Sequence, residues 1–200
     1  MAKTVEFFFD VGSPAAYLAF ERQPAMCDAA GATLQWRPML LGGVFQAAGN
    51  QSPMAVPAKG RYVLADLQRF ARRHDIPFRQ NPHFPINTLT LMRMATGLQL
   101  REPQRFVPYL AAVYRAIWVD GLDMNHPAVV TGVLQQAGFD PQALLALASD
   151  PAVKQRLKDD TQEAVARGVF GAPTFFVDGE MYWGQDRLDF VKEALEADTP

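Results

Sequence analysis

Two short stretches carry residue types that could do chemistry. In the first, Asp10-Val11-Gly12-Ser13-Pro14, a serine stands directly before a proline. An apolar run, Val5-Glu6-Phe7-Phe8-Phe9, precedes it, and Ala15-Ala16-Tyr17-Leu18-Ala19-Phe20 follows. Proline just inside a helix start, behind a serine able to cap it, signals an N-terminus. Such an end exposes unpaired N–H groups and about half a positive charge, so Ser13 stands where an anion would be held. A serine there can also be a plain cap. In the second stretch, Gly171-Ala172-Pro173-Thr174, a proline falls at the first residue of an apolar run. That is a strand position where its missing N–H costs no ladder bond, and an ordinary turn would use the same residues.

The elements that must carry these stretches follow in chain order. Val5–Phe9 has strand length and aromatic bulk. The helix after Ser13 closes at Gly31, a C-cap candidate, and Thr33–Met39 reads as a second strand. Strand, helix and strand in this order form a βαβ unit with parallel strands. Leu40 to Pro57, with Gly42, Gly43, Gly49, Asn50 and Pro53, reads as loop. Helical patterns then dominate: Lys59–Arg73, Thr88–Leu100, and runs opened by Glu102-Pro103, His126-Pro127, Asp140-Pro141 and Asp150-Pro151. β character returns at Thr174–Val177 and Glu180–Trp183, joined by Asp178-Gly179 as a hairpin, before an amphipathic helix over Gly184–Ala197.

The order βαβ, helices, ββα is that of an α/β thioredoxin-like fold interrupted by an all-helical insertion. The expected division is 1–42 and 151–200 for the two halves of the thioredoxin-like domain and 43–150 for the insertion. A single domain with β structure only at its ends is less economical, because the end strands need each other to make a sheet.

Bulk properties narrow the function. The 200 residues are 49% hydrophobic, enough to bury a substantial core, and the net charge of −2 offers no basic field for nucleic acid. No apolar stretch reaches membrane-spanning length, and Met1-Ala2-Lys3-Thr4 runs into the first strand without a signal-peptide core. A soluble cytoplasmic protein is expected. Cys27 is the only cysteine, which excludes an internal disulfide and any Cys-x-x-Cys pair.

In a thioredoxin-like arrangement Pro173 is cis and faces the start of the first helix. The Ala172 N–H and C=O then turn outward to pair with an extended peptide. Where such a fold usually carries its two cysteines stands Ser13-Pro14-Ala15-Ala16, so thiol–disulfide exchange is excluded. What survives is the ability of a helix end to stabilise a thiolate. The ligand must bring the thiol, and a small thiol peptide suits both the anion site and the proline edge.

FFFDVGSPAAYLA, LLGGVFQAAGNQSP, KGRYVLADLQR and VFGAPTFFVDGEMYWGQDRL together resemble the kappa-class glutathione transferase family. Within it they are most similar to the 2-hydroxychromene-2-carboxylate isomerases of bacterial aromatic degradation, above all at Trp183-Gly184-Gln185-Asp186-Arg187-Leu188. The resemblance implies glutathione as cofactor, a small aromatic substrate and a homodimer. It implies that Ser13 bonds the glutathione sulfur and that Asn50 and Lys59 reach the glycyl end. Ala172, before Pro173, would pair with the cysteinyl backbone, while Gln185 and Asp186 hold the γ-glutamyl group. The family often has an aromatic or hydroxyl residue where Ala15 and Ala16 stand, so here only backbone N–H contacts are expected from those two.

Each residue also has a plainer role open to it: Asn50 in a turn, Lys59 as a solvated helix lysine, Asp186 as a helix-end charge. The implied activity is glutathione-dependent isomerisation. A kappa-type transferase and a non-enzymatic thioredoxin-like binding protein are the alternatives. His74, His83 and His126 lack ligand spacing, so no metal site is expected. Ser13 lacks a hydrolase context, and Cys27 suits a core position. Trp118, Tyr182 and Trp183 could line an aromatic pocket or simply pack.

Overall fold

A computed structural model describes residues 2–197. Met1 and residues 198–200, the outermost ends of the expected division, lie outside the described residues. The chain opens with β1 (Thr4–Phe9), α1 (Pro14–Ala29) and β2 (Thr33–Pro38), and β1 and β2 pair in parallel from Thr4–Thr33 to Phe9–Pro38. Near the other end β3 (Thr174–Val177) joins β1 antiparallel, with Val5 opposite Val177, and β4 (Glu180–Trp183) completes the hairpin. The sheet order is β2-β1-β3-β4, so the two ends of the chain do build one thioredoxin-like sheet. Between them lie α2 (Leu41–Ala48), α3 (Pro57–Arg73), α4 (Leu89–Arg101), α5 (Pro103–Trp118), α6 (Pro127–Gln136), α7 (Pro141–Ser149) and α8 (Pro151–Ala166); α9 (Leu188–Glu196) closes the described chain.

Proline at the front of a helix recurs as the sequence predicts, in α1, α3 and α5 to α8. Two readings need correction. Leu40 to Pro57 is not all loop: it holds α2 and a 3-10 turn, Pro53–Ala55. Gly42 and Gly43 are poor helix formers, but tertiary contacts override them. Asp10 takes the Leu41 N–H, and Gly43 lets α2 lie so near α8 that a Cβ there would meet Thr161 Cγ2 at 3.3 Å. The last helix begins at Leu188 rather than Gly184, because Gly184 sits at φ 109°, outside helical space, and Gln185–Arg187 forms a 3-10 turn.

Alternation along β1 divides the core. Phe7 and Phe9 face α1, α4 and α5, while Phe8 joins Met39, Val44, Ala164 and Phe176 beneath α2 and α8. Glu6 shares the Phe8 face, where it accepts from Arg167 at 2.7 Å and from Arg37 at 2.8 Å. The Arg167 guanidinium lies 3.8 Å from the centre of the Phe176 ring, covering apolar surface that α8 leaves bare.

Where β1 ends, the chain enters a turn fixed from beneath. Asp10 is 1% exposed, and its Oδ1 accepts from Gly12 N at 2.9 Å. Its Oδ2 accepts from Leu41 N at 2.9 Å and from Thr88 Oγ1 at 3.0 Å. The Trp118 indole donates to the Val11 carbonyl at 2.9 Å, and Ser13 N donates to the Asp10 carbonyl at 3.0 Å. One carboxylate thereby ties the starts of α1, α2 and α4 together.

Hydrogen bonds from Arg167, helped by the charges of Arg167 and Arg37, hold Glu6 below its usual 4.5. Its stabilising effect is full above that ordinary value and is lost as pH falls through the depressed one. Glu6→Gln should cost about 1 kcal/mol at pH 7, since the group is partly exposed. In urea titrations the gap from wild type should close at acidic pH; a gap unchanged there would mean that packing, not charge, is lost.

Asp10→Ala strands three donors and should cost about 3–5 kcal/mol, against about 1 for Thr88→Val. The double variant should be no less stable than Asp10→Ala alone, because Thr88 then has no acceptor left to lose. Additive losses in a double-mutant cycle would refute the shared bond.

Candidate active site

Ser13 caps α1 as the sequence predicts: its Oγ accepts from Ala16 N at 3.2 Å, and the residue is 5% exposed. The same hydroxyl donates across the molecule to the Ala172 carbonyl at 2.9 Å. The Ala172-Pro173 peptide is cis, as expected of its place in the fold, and so is Phe84-Pro85, which the sequence did not flag. Ser13, Ala172 and Pro173 therefore meet at the N-terminus of α1. The expectation for the two alanines is half corrected. Ala16 N–H is already engaged by Ser13, whereas Ala15 N–H and Ala172 N–H have no protein partner among the described residues.

The segment 170–173 gathers most of the other candidates. Asn50 Nδ2 donates to the Phe170 carbonyl at 2.8 Å, while its Oδ1 accepts from Gln51 N at 2.8 Å. The Pro173 carbonyl accepts from Gly184 N at 3.0 Å, which sets Gln185 and Asp186 directly beyond it. Gly184 must be glycine for its positive φ and because a Cβ would collide with Asp186 Oδ1. Gln185 is buried, and Arg22 Nη1 reaches both its carbonyl, at 3.0 Å, and its Oε1, at 3.2 Å. With Oε1 taken, the amide group of Gln185 is left as a donor. Asp186 is half-exposed and pairs with Arg187 at 2.8 Å. Lys59 stands apart: it is exposed on the first turn of α3, beside Pro53 and Tyr62, without a hydrogen bond to the other candidates.

The aromatic candidates separate. Trp118 is buried beneath the Ser13 turn, with its N–H on Val11, so it lines no pocket. Tyr182 donates to Glu180 at 2.8 Å. Trp183 is 47% exposed, lies 4.8 Å from Phe170 and covers Gly171, where a Cβ would come within 2.6 Å of its indole nitrogen. It thus forms a fixed aromatic wall beside Ala172. Burial, and then the neighbouring Asp28 charge, push the Cys27 thiol up to about 11, so it is no nucleophile at neutral pH.

Sequence reasoning missed Asp10, Thr88, Arg22 and Phe170. Only the Asp10–Gly12 contact had a local signal, an Asp two residues before a Gly. The other partners lie between 31 and 163 residues away in sequence.

The arrangement is a capped helix end with free N–H donors, faced by a cis-proline edge and an aromatic wall, and it has known counterparts. The DSBA-like thioredoxin domain matches residues 4–196. The chain is 32% identical to 2-hydroxychromene-2-carboxylate isomerase of Sphingobium xenophagum over 98% of this chain and 99% of that protein. It is 30% identical to human glutathione S-transferase kappa 1, over 98% of this chain and 92% of that one. A solved 2-hydroxychromene-2-carboxylate isomerase superposes with a TM-score of 0.83 at 31% identity, covering 96% of this chain and 94% of the other. With its sheet order, its cis-proline and these relatives, the chain belongs to the DSBA-like thioredoxin domain family, in the branch of the 2-hydroxychromene-2-carboxylate isomerases and kappa-class glutathione transferases.

Proposed function

We propose that the protein binds glutathione and uses it, unconsumed, to isomerise 2-hydroxychromene-2-carboxylate to trans-o-hydroxybenzylidenepyruvate. The observation that carries this reading is the meeting of Ser13 Oγ with Ala172 at the start of α1, beside two N–H groups without a partner among the described residues. When bound, glutathione would supply a thiolate that adds to the conjugated ring carbon, lets the opened chain rotate about the resulting single bond, and leaves again.

The protein's part is to keep that sulfur ionised. A free thiol has a pKa near ~8.5, and lowering it by about two units requires ~2.7 kcal/mol. A partly buried helix end contributes up to ~2 kcal/mol. Ser13 must turn its proton away from Ala172, giving up a neutral hydrogen bond of about 1 kcal/mol to gain one to an ion worth ~1.5–3. Its net gain of about 1 kcal/mol, added to the helix end, reaches the required sum. The Ala15 N–H adds a further donor. Ala172 N–H is free for the cysteinyl backbone, and the amide donor of Gln185, fixed by Arg22, suits the γ-glutamyl carboxylate. Asp186 would leave Arg187 for the glutathione ammonium, and Asn50 and Lys59 would serve the glycyl end.

A kappa-type transferase would share this chemistry up to the thiolate. The isomerase reading is preferred on the motif Trp183 to Leu188 and on the structural match to an isomerase over nearly the whole chain.

Ser13→Ala should raise the pKa of bound glutathione by about one unit, the equivalent of the net hydrogen bond, and cost ~0.5–2 kcal/mol of stability as a lost cap. Thiolate absorbance of the complex, titrated in both proteins, measures this. Superimposable curves would reduce Ser13 to a cap.

Sub-stoichiometric glutathione should sustain many turnovers of hydroxychromene carboxylate with free thiol constant. Product formation halting at one equivalent, with a thioether accumulating, would establish the transferase instead. Failure to bind glutathione in calorimetry would leave the binding-protein alternative.

A further inference from the structure

A second groove lies beside α2 and α8, and none of the residues proposed for glutathione lines it. It runs between α2, the start of α4 and α8, and encloses about 840 Å³, a volume typical of small-molecule sites. Its wall on α8 is the stripe Pro151, Lys154, Lys158, Thr161 and Val165, spaced by three and four residues so that all share one side of the helix. Val153, Asp160 and Ala164 occupy the opposite, buried side.

The two ends of the groove differ in character. Lys154 and Lys158 lie on the first half of α8. Arg101, at the end of α4, meets Asp150, just before α8, so the two helices run antiparallel and Arg93 falls level with Lys158. Among the described residues no Asp or Glu lines the groove. Of the acids adjacent in sequence, Asp150 pairs with Arg101 and Asp160 with Arg156, while Asp159 accepts from Gln155, itself a lining residue at the rim. Toward the far end the walls are Gly43, Ala47 and Val165, with the uncharged amides of Gln46 and Gln162 beside them, and among the described residues no aromatic ring contributes. The long axis follows α8, whose 16 residues span about 24 Å.

We propose that this groove binds a medium-chain carboxylate, with its head among Arg93, Lys154 and Lys158 and its alkyl tail along α8 toward Ala47 and Val165. Three cations at one end without an ion-pair partner among the described residues call for an anion, and a long, mainly aliphatic trough suits a chain rather than a flat ring. The charge complementarity is local to this face, since the chain as a whole carries a net −2.

The test is calorimetry with octanoate, decanoate and dodecanoate below their micellar concentrations, and with decanol as the neutral control. Each buried methylene should tighten binding by up to about fourfold. The triple variant Arg93→Gln, Lys154→Gln, Lys158→Gln should weaken decanoate about tenfold or more and leave decanol unchanged. Val165→Gln should flatten the chain-length dependence, and Ser13→Ala should leave decanoate affinity unchanged. Lys154 and Lys158 are exposed and Arg93 and Val165 only partly buried, so melting curves of those variants should show intact folds. The proposal is overturned by absence of decanoate binding at about 1 mM, by affinity independent of chain length, or by equal losses for decanoate and decanol in the triple variant.

Discussion

The buried Asp10 carboxylate is the contact on which the placement of the other elements depends. Taking a carboxylate out of water without a cation is costly unless its oxygens are fully bonded. Here Gly12, Leu41 and Thr88 supply the donors, and each belongs to the start of a different helix or to its lead-in turn. A shift of any of the three breaks a buried hydrogen bond to the carboxylate, so the end of β1 and the starts of α1, α2 and α4 are fixed as a unit. Trp118 adds a fourth tie from the end of α5. Burial raises the pKa of Asp10, with its three hydrogen bonds pulling the other way.

On that fixed base the segment 170–173 acts as the spine of the candidate site. Its carbonyls take Ser13 at Ala172, Asn50 at Phe170 and Gly184 at Pro173. The residue that caps α1, one after α2 and one after β4 are thus held by three carbonyls of a single strand entry. Gly171 is needed because Trp183 lies against its backbone, and Thr174 Oγ1 bonds the Gly171 carbonyl at 2.8 Å, closing the turn from below. The sheet order makes this convergence possible, since β3 runs beside β1 and brings residue 173 to the end of β1 where Ser13 begins.

What the sequence made legible was what local chemistry decides. The Asp178-Gly179 hairpin, the proline-led helices and the Ser13 cap each depend on residues within four positions of one another. The parallel pairing of β1 with β2 followed from the length of the connection. What escaped depended on distant partners. Gly42 and Gly43 argued for loop, and only Asp10 and Thr161, 31 and more residues away, make a helix of that stretch. Gln185 reads as the opening of the last helix, but its burial and its bonds to Arg22, 163 residues earlier, had no local signal. The groove along α8 was invisible for the same reason. Its lysines look like an ordinary solvated face until α2 and α4 are set opposite them.

The placement of sulfur gives these observations a common physical sense. The one cysteine the chain owns, Cys27, sits late in α1 in the core, where burial and Asp28 keep it protonated. On the proposed reading a thiolate is favoured instead at the opposite end of that helix, where the chain provides donors and no thiol of its own. The hydroxyl at that end is bonded to a neutral carbonyl rather than to a charged group. Releasing a neutral acceptor costs less than breaking an ion-assisted bond, so an incoming thiolate can recruit the proton that the carbonyl gives up. A cysteine at position 13 would bring its own thiolate to that helix end and could enter disulfide exchange. A serine keeps the donor, excludes the exchange and, on the proposed reading, leaves the sulfur of glutathione as the nucleophile that the helix end serves.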